Sequence, residues 1–391
     1  MTSNKQYAVL DLFCGTGALS YGLSKRNSAF TTVAGVDLDT AAVKTAAANH
    51  ESAHIVCNKI ENIAPLELVR QAGVSQVDVI VGGPPCQGFS SLRPSRGSEL
   101  EDPRNNLYKQ FVKYVDILRP TVFLMENVVG LVSASEGKLL EGILKGFKKI
   151  GYSVDWRILN AANFGIPQKR ERFFLIGTKK SALGTMQINF PKPTHAFNGR
   201  VIGTKHKSNY VINYDFGDPA ISVWEAISDL PSIASNGRSD IYRCKPKNEY
   251  QRARRINANG RLTLHEAANH STKMLEVIRH SGASISSIPD GLITSGYSSC
   301  YSRLNGDEPS TTITVKFTSP ASSKCIHPID DRSITPREAA RIQGFDDDFI
   351  FCGSKTDIAS QIGNAVPPLF GGAFAEIFDR ILDSKISVEE F

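Results

Sequence analysis

Short apolar runs alternate with helical stretches over residues 7–176, and no other feature of the chain constrains its fold as strongly. Strand patterns fall at 7–13, 32–36, 55–57, 77–81, 122–125, 154–158 and 173–176, with helical patterns at 41–49, 66–72, 107–118 and 139–150 between them. Successive parallel strands need a crossover, and helices on both faces bury such a sheet, so the pattern reads as α/β with a doubly wound, mostly parallel sheet. Ligands of open sheets of this kind bind outside the carboxyl ends of the strands. The residues that follow each strand are therefore where chemistry is expected.

Several strand ends carry functional groups. The first runs into Gly15-Thr16-Gly17, a glycine turn whose amides, at a helix start, can receive a carboxylate or phosphate. The second ends at Asp37, at the distance from the turn where an acid accepts hydrogen bonds from ribose hydroxyls. By itself this pair fits a nicotinamide oxidoreductase equally well. The strand at 77–81 leads into Gly82-Gly83-Pro84-Pro85-Cys86-Gln87-Gly88-Phe89-Ser90. Two prolines with fixed φ and no amide hydrogen stiffen the approach to Cys86, and a cysteine delivered to a crevice on a rigid segment suits a nucleophile. The next strand ends in Glu126, an acid facing the same crevice, and Gly165-Ile166-Pro167-Gln168-Lys169-Arg170-Glu171-Arg172 brings two arginines to the start of the last.

Together with Asp11-Leu12-Phe13-Cys14-Gly15-Thr16-Gly17 and Gln361-Ile362-Gly363-Asn364-Ala365-Val366-Pro367-Pro368, these segments resemble the ordered motif set of the DNA cytosine-5 methyltransferases over most of 7–178 and 296–378. The resemblance implies a Rossmann-like methyltransferase sheet with a final antiparallel strand, and S-adenosyl-L-methionine as methyl donor. It carries Phe13 to the adenine face, Gly15 and Gly17 to the methionine end and Asp37 to the ribose, with Ile60, Leu107 and Asn364 at further cofactor-contacting positions. It makes Cys86 the nucleophile that adds to carbon 6 of a flipped cytosine and Glu126 the acid on the base. Arg172 becomes the donor to the cytosine carbonyl, with Arg170 beside it. One position departs from the pattern: Lys59 stands where the family has an aspartate that accepts from the adenine amino group. Charged lysine has no acceptor, so Asn58 or a main-chain carbonyl is expected to substitute. The family setting implies a restriction-modification system with a linked endonuclease, and a monomer that acts on double-stranded DNA.

Charge is distributed unevenly. Residues 192–273 hold 13 Lys and Arg against 7 Asp and Glu, an excess of six that equals the net +6 of the whole chain. Over much of this stretch the strand and helix patterns dissolve into Gly, Asn, Ser and Pro. A second, smaller, irregular target-recognition domain is expected at 186–330, with a variable core near 190–262 in which Arg252, Arg254 and Arg255 contact DNA. The large domain is expected at 1–185, completed by 360–391, with 331–359 as hinge and scaffold. The basic loop at 91–97 after Cys86 is expected to close on DNA as a lid.

Seven cysteines without a CxxC spacing argue against a disulfide framework or a zinc site, and no metal is expected. No apolar stretch approaches the roughly 18 residues that span a membrane, and a cytoplasmic protein is expected. Two other functions compete with DNA methylation: a tRNA methyltransferase of the same fold, which typically has Pro-Phe-Thr where this chain has Gly88-Phe89-Ser90, and an inactive DNA-binding regulator, which would not need Cys86, Glu126 and Arg172.

Overall fold

A computed structural model describes residues 5–85, 107–183, 187–198, 214–294 and 296–389. Cys86 and the loop at 91–97 lie outside the described residues, as do 199–213 of the basic window.

The first part of the chain runs β1 (Tyr7–Leu12), α1 (Ala18–Arg26), β2 (Phe30–Asp37), α2 (Thr40–Asn49), β3 (His54–Cys57), α3 (Pro65–Gln71), β4 (Val79–Gly82), α4 (Leu107–Leu118), β5 (Val122–Asn127), α5 (Lys138–Lys149) and β6 (Tyr152–Asn160). Two strands flank Arg170: β7 (Gln168–Lys169) and β8 (Glu171–Lys179). Seven strands form one sheet in the order β3-β2-β1-β4-β5-β8-β6. It is parallel except for β8, which runs antiparallel to both β5 and β6. This is the doubly wound sheet, with its antiparallel strand, that the alternation and the resemblance led us to expect.

Successive side chains of a strand face opposite sides of a sheet, and here both sides are buried. Val79, Val81, Val122, Leu124, Phe174 and Ile176 pack with Leu19 and Leu23 of α1 and with Phe370, Phe374 and Phe378 from the C-terminal end of the chain. Their neighbours Ile80, Phe123, Met125, Phe173 and Leu175 pack with Phe111 and Tyr114 of α4 and with Ile143 and Phe147 of α5. The unbroken apolar runs of these strands are a consequence of that double burial.

The remaining elements are α6 (Lys180–Leu183), β9 (His195–Ala196), β10 (Asp218–Pro219), α7 (Val223–Ile227), α8 (Glu249–Arg255), α9 (Thr272–Arg279), β11 (Ser310–Thr311), α10 (Pro336–Ile342), α11 (Lys355–Asn364) and α12 (Pro368–Glu389). Helix α12 returns to the sheet beside α1, a helix absent from the sequence pattern. Gly22 and two serines hide α1, and the structure shows why the glycine is there. A Cβ on Gly22 would lie 1.8 Å from the Pro368 carbonyl oxygen, and one on Gly371 2.1 Å from that of Leu19. The two helices meet backbone to backbone, so glycine's helix penalty of about 1 kcal/mol is accepted for the close approach.

A second core joins Val223, Ala226 and Ile227 of α7 to Leu262, Ile313, Ile334, Ala339, Ala340, Ile342, Phe345 and Phe349, and to Ile358 and Ile362 of α11. Part of the basic window and most of 331–359 thus share one interior. Helices α7 and α8 have five and seven residues, too few for a 3.6-residue period to emerge, and each is started by a side-chain cap, Ser222 and Asn248 respectively.

Candidate active site

Register across the parallel strands levels their carboxyl ends. Leu12 of β1 stands opposite Val36 of β2 and Gly82 of β4, and Gly82 stands opposite Met125 of β5. The residues one step further along, Phe13, Asp37, Gly83 and Glu126, therefore share one rim of the sheet. Because β8 is antiparallel, its first residues arrive at the same rim, and Arg172 Nε lies 3.0 Å from Glu126 Oε1. The structure thus brings together the turn, the acid, the arginine and the segment entering Cys86.

On the β4–β5 side, Asn127 Nδ2 donates to the Pro84 carbonyl at 2.8 Å. That bond pins the segment leading to Cys86 against the strand that carries Glu126. Asn127 directly follows the strand-end acid in the sequence, and that position is the signal for a supporting role. A Cβ on Gly83 would come to 3.0 Å from Glu126 Oε2, so glycine leaves the carboxyl its place. Burial raises the pKa of Glu126 above the ordinary carboxylate value, against the opposing pull of Arg172 and Arg170. That shift favours the protonated form, which can donate to a base.

Arg170 does a different job from the one expected. Its guanidinium is fully buried and donates to the carbonyls of Ile313, Gly363 and Ala365 at 3.1 Å each. We correct its assignment from a group at the base to a clamp between β7, the β11 region and the end of α11. The gripped carbonyls flank Asn364, whose side chain is exposed, so Arg170 fixes the main chain on either side of that expected cofactor contact.

On the β1–β2 side, Phe13 and Gly15 have φ of 56° and 51° and Gly17 of 71°, a left-handed path that is uncommon for a bulky side chain. Gly17 starts α1, and no side chain caps it, which leaves the helix N-terminus for a ligand. A Cβ built on Gly15 meets nothing within 4 Å, so the turn borders open space. Asp37 Oδ2 accepts from the Gly15 amide at 2.8 Å and Oδ1 from that of Asp39 at 2.9 Å. A carboxylate has about four acceptor sites, so Asp37 ties the two loops together and keeps capacity for hydroxyl donors. The uncapped N-terminus, the open turn and the acid fit a cofactor with an anionic end and a ribose.

Other expected contacts are reassigned. Ile60 is buried in the first core, which leaves only its main chain for a cofactor. Asn58 Oδ1 already accepts from the Lys59 amide at 2.8 Å and from Asn62 Nδ2 at 3.3 Å. Of the two substitutes for the missing aspartate, a main-chain carbonyl is the one the geometry favours. Leu107 opens α4 and packs, half-buried, against the first core. Leu38, directly after Asp37, is 63% exposed; an apolar side chain left in water beside the cofactor loops was legible in the sequence only as a strand-end leucine.

The three arginines of α8 separate. Arg255 donates to Asp229 Oδ2 at 3.0 Å and to the Cys244 carbonyl at 2.9 Å, and lies over the Tyr242 ring. Arg254 pairs with Asp346 at 3.2 Å and donates to the Gly344 carbonyl. Their side chains are 15% and 12% exposed, so the expectation that they contact DNA is corrected: both brace the second core. Arg252, 56% exposed and paired among the described residues only with Glu249 of its own helix, remains available. Arg254→Ala and Arg255→Ala should lower the melting temperature and leave the methylated sequence unchanged, whereas Arg252→Ala should leave stability within about 0.5 kcal/mol. Thermal denaturation and methylation mapped over a randomised DNA library measure both effects. An altered target sequence in a folded Arg255→Ala protein would restore that residue as a reader.

Among the described residues no group of three or more His, Cys, Asp or Glu is placed to hold a metal, and no helix is long and apolar enough to cross a membrane.

The sheet order and the rim of strand ends are those of a Rossmann-like methyltransferase. A prophage-encoded E. coli protein described as a DNA modification methyltransferase superposes with a TM-score of 0.75 at 26% identity, over 97% of this chain and 100% of its own. The profile of the C-5 cytosine-specific DNA methylases matches residues 7–378. The chain belongs to that family and is a DNA (cytosine-5)-methyltransferase. Its relatives include the Type II methyltransferases M1.HphI of Haemophilus parahaemolyticus and M.AgeI of Thalassovita gelatinovora. Each is 33% identical over 94% of this chain, covering 85% and 98% of the relative respectively.

Proposed function

We propose that the protein methylates one cytosine of a specific duplex sequence through a covalent Cys86 adduct, and that it is the modification enzyme of a Type II restriction-modification pair. The observation that carries the mechanism is the pinned approach to Cys86 beside a buried Glu126 that Arg172 contacts. S-adenosylmethionine, held by the Gly15–Gly17 turn and Asp37, supplies an electrophilic methyl group.

Carbon 5 of cytosine is a weak nucleophile until a thiolate adds to carbon 6. Cys86 forms that bond, while Glu126, protonated, donates to ring nitrogen 3 and offsets the charge that develops there. Arg172 holds Glu126 in place and reaches toward the base carbonyl. Carbon 5 then takes the methyl group and loses its proton to a base; the carbon–sulfur bond breaks and Cys86 leaves. Both faces of the ring must be open, so the cytosine is flipped from the stack at a cost of a few kcal/mol. The Type II names of the relatives support the restriction-modification assignment, and the basic excess of 192–273 supports a duplex partner.

Duplex DNA with 5-fluorocytosine at the target tests the covalent step. Fluorine leaves no proton to remove, so the adduct should persist through denaturation and its crosslinked peptide should contain Cys86. A crosslink at Cys14 or Cys57, or none with active enzyme, would overturn the mechanism.

A further inference from the structure

Behind the glycine turn lies a buried polar cluster with no part in the chemistry above. Ser20 of α1, fully buried, directs its hydroxyl to Asp11 Oδ2 at 2.6 Å, with the Gly17 carbonyl more distant at 3.1 Å. His50, the C-cap of α2, places Nε2 3.0 Å from that same Gly17 carbonyl and 3.4 Å from Ser20 Oγ. The carbonyl also takes the first main-chain bond of α1, from the Tyr21 amide at 2.8 Å. A carbonyl oxygen can only accept, so the proton of the imidazole sits on Nε2. A Cβ on Gly17 would be 2.8 Å from Nε2, which sets the ring directly against the turn. Tyr21 meets the ring edge-on, with centroids 6.3 Å apart, and is held in turn by Phe349 and by a bond from its hydroxyl to Asp346.

We propose that His50 is a positioning residue for the cofactor: by donating from Nε2 to the Gly17 carbonyl it holds the left-handed Gly15–Gly17 turn in the shape that receives the charged end of the methionine moiety. The inference rests on the reading of this turn as the S-adenosylmethionine site. Gly17 starts α1 with no side-chain cap of its own, so the turn is supported by Asp37 at Gly15 and by this cluster at Gly17. Asp11 secures the Ser20 hydroxyl and thereby keeps it from competing for the carbonyl. Burial lowers the pKa of His50 and so favours the neutral ring, as a single-donor role requires.

The test compares His50→Leu, which removes the donor, with His50→Gln, whose amide nitrogen reaches the position of Nε2, and His50→Asn, whose amide is too short. Equilibrium binding of S-adenosylmethionine and of S-adenosylhomocysteine is measured by calorimetry on the full-length proteins. Leu and Asn should weaken both about tenfold, the order of one lost hydrogen bond, and Gln should stay within about threefold of the parent. In turnover, KM for the cofactor should rise in step with the dissociation constant while kcat falls less. Parental affinity in a folded Leu variant, or equal affinity in Gln and Asn, would overturn the proposal; should Leu not fold, the Gln–Asn pair decides. Asp37→Ala separates the two levels. If it also binds with parental affinity, the site itself is misplaced, whereas weak binding there with parental binding in His50→Leu sinks the His50 role alone.

Discussion

Glu126→Gln is expected to reduce turnover on the order of 10²-fold or more, the usual scale for a positioned acid, while the protein stays folded and binds DNA. The glutamine keeps the shape beside Gly83 and the contact region of Arg172 but has no proton to release to ring nitrogen 3. The pH profile gives a second readout. Burial raises the carboxyl pKa, so the protonated form persists above the ordinary carboxylate range and is lost as pH rises through the raised value. The parental rate should carry a descending limb there that Glu126→Gln lacks. Cys86→Ala should abolish methyl transfer altogether, and measurable methylation by that variant would end the nucleophile assignment. An unchanged rate in Glu126→Gln would remove the acid from the mechanism and leave Arg172 as the principal group at the base.

The second large effect concerns stability. In the second core Arg341 of α10 lies between two buried carboxylates, with Nε 2.5 Å from Asp347 Oδ1 and Nη1 3.2 Å from Asp229 Oδ1. Arg337 reaches Asp347 at 3.3 Å, Arg255 reaches Asp229 at 3.0 Å, and the Tyr242 hydroxyl donates to Asp347 at 2.6 Å. Burial alone would raise the Asp347 carboxyl, but the bonds from Arg341 overcome it and hold the pKa below the ordinary value. Arg341→Met should cost about 3–5 kcal/mol, because it takes one of two guanidinium partners from each of two carboxylates in an interior that cannot hydrate them. Urea denaturation measures this as a fall in midpoint at constant slope. A loss below about 1 kcal/mol would place the network with ordinary surface pairs. The Asp347 contribution is present at neutral pH and above its unfolded pKa, and it is lost as pH falls through the lowered folded value.

Two of the arginines that composition had marked for DNA belong to this network or border it. A basic run in a sequence shows that charge must be neutralised and leaves open by what. Arg254 and Arg255 face inward because α8 turns their side of the helix toward Asp346 and Asp229, residues 92 and 26 positions away for the respective pairs. No local pattern encodes such a pairing. Arg170 shows the same limit: a motif places it two residues from Arg172, and only the meeting of β7 with Ile313, Gly363 and Ala365 decides that it holds main chain while Arg172 reaches Glu126.

The large sheet is legible in the sequence alone, because unbroken apolar runs and the crossover helices between them are local signals that survive without knowledge of neighbours. The strand ends that lead to the glycine turn, Glu126 and Cys86 are legible there too, since each of these sits at or a few residues beyond the end of an apolar run. Tertiary structure alone decided that α1 is a helix lying backbone to backbone with α12, that residues 223–262 share a core with 334–362, and that His50 meets Gly17 across 33 residues. The physical reason is common to all of these. Close approach, buried charge pairing and the supply of a donor to a loop depend on which chain segments meet in space, and the free energy of those meetings appears only when distant residues have been brought together.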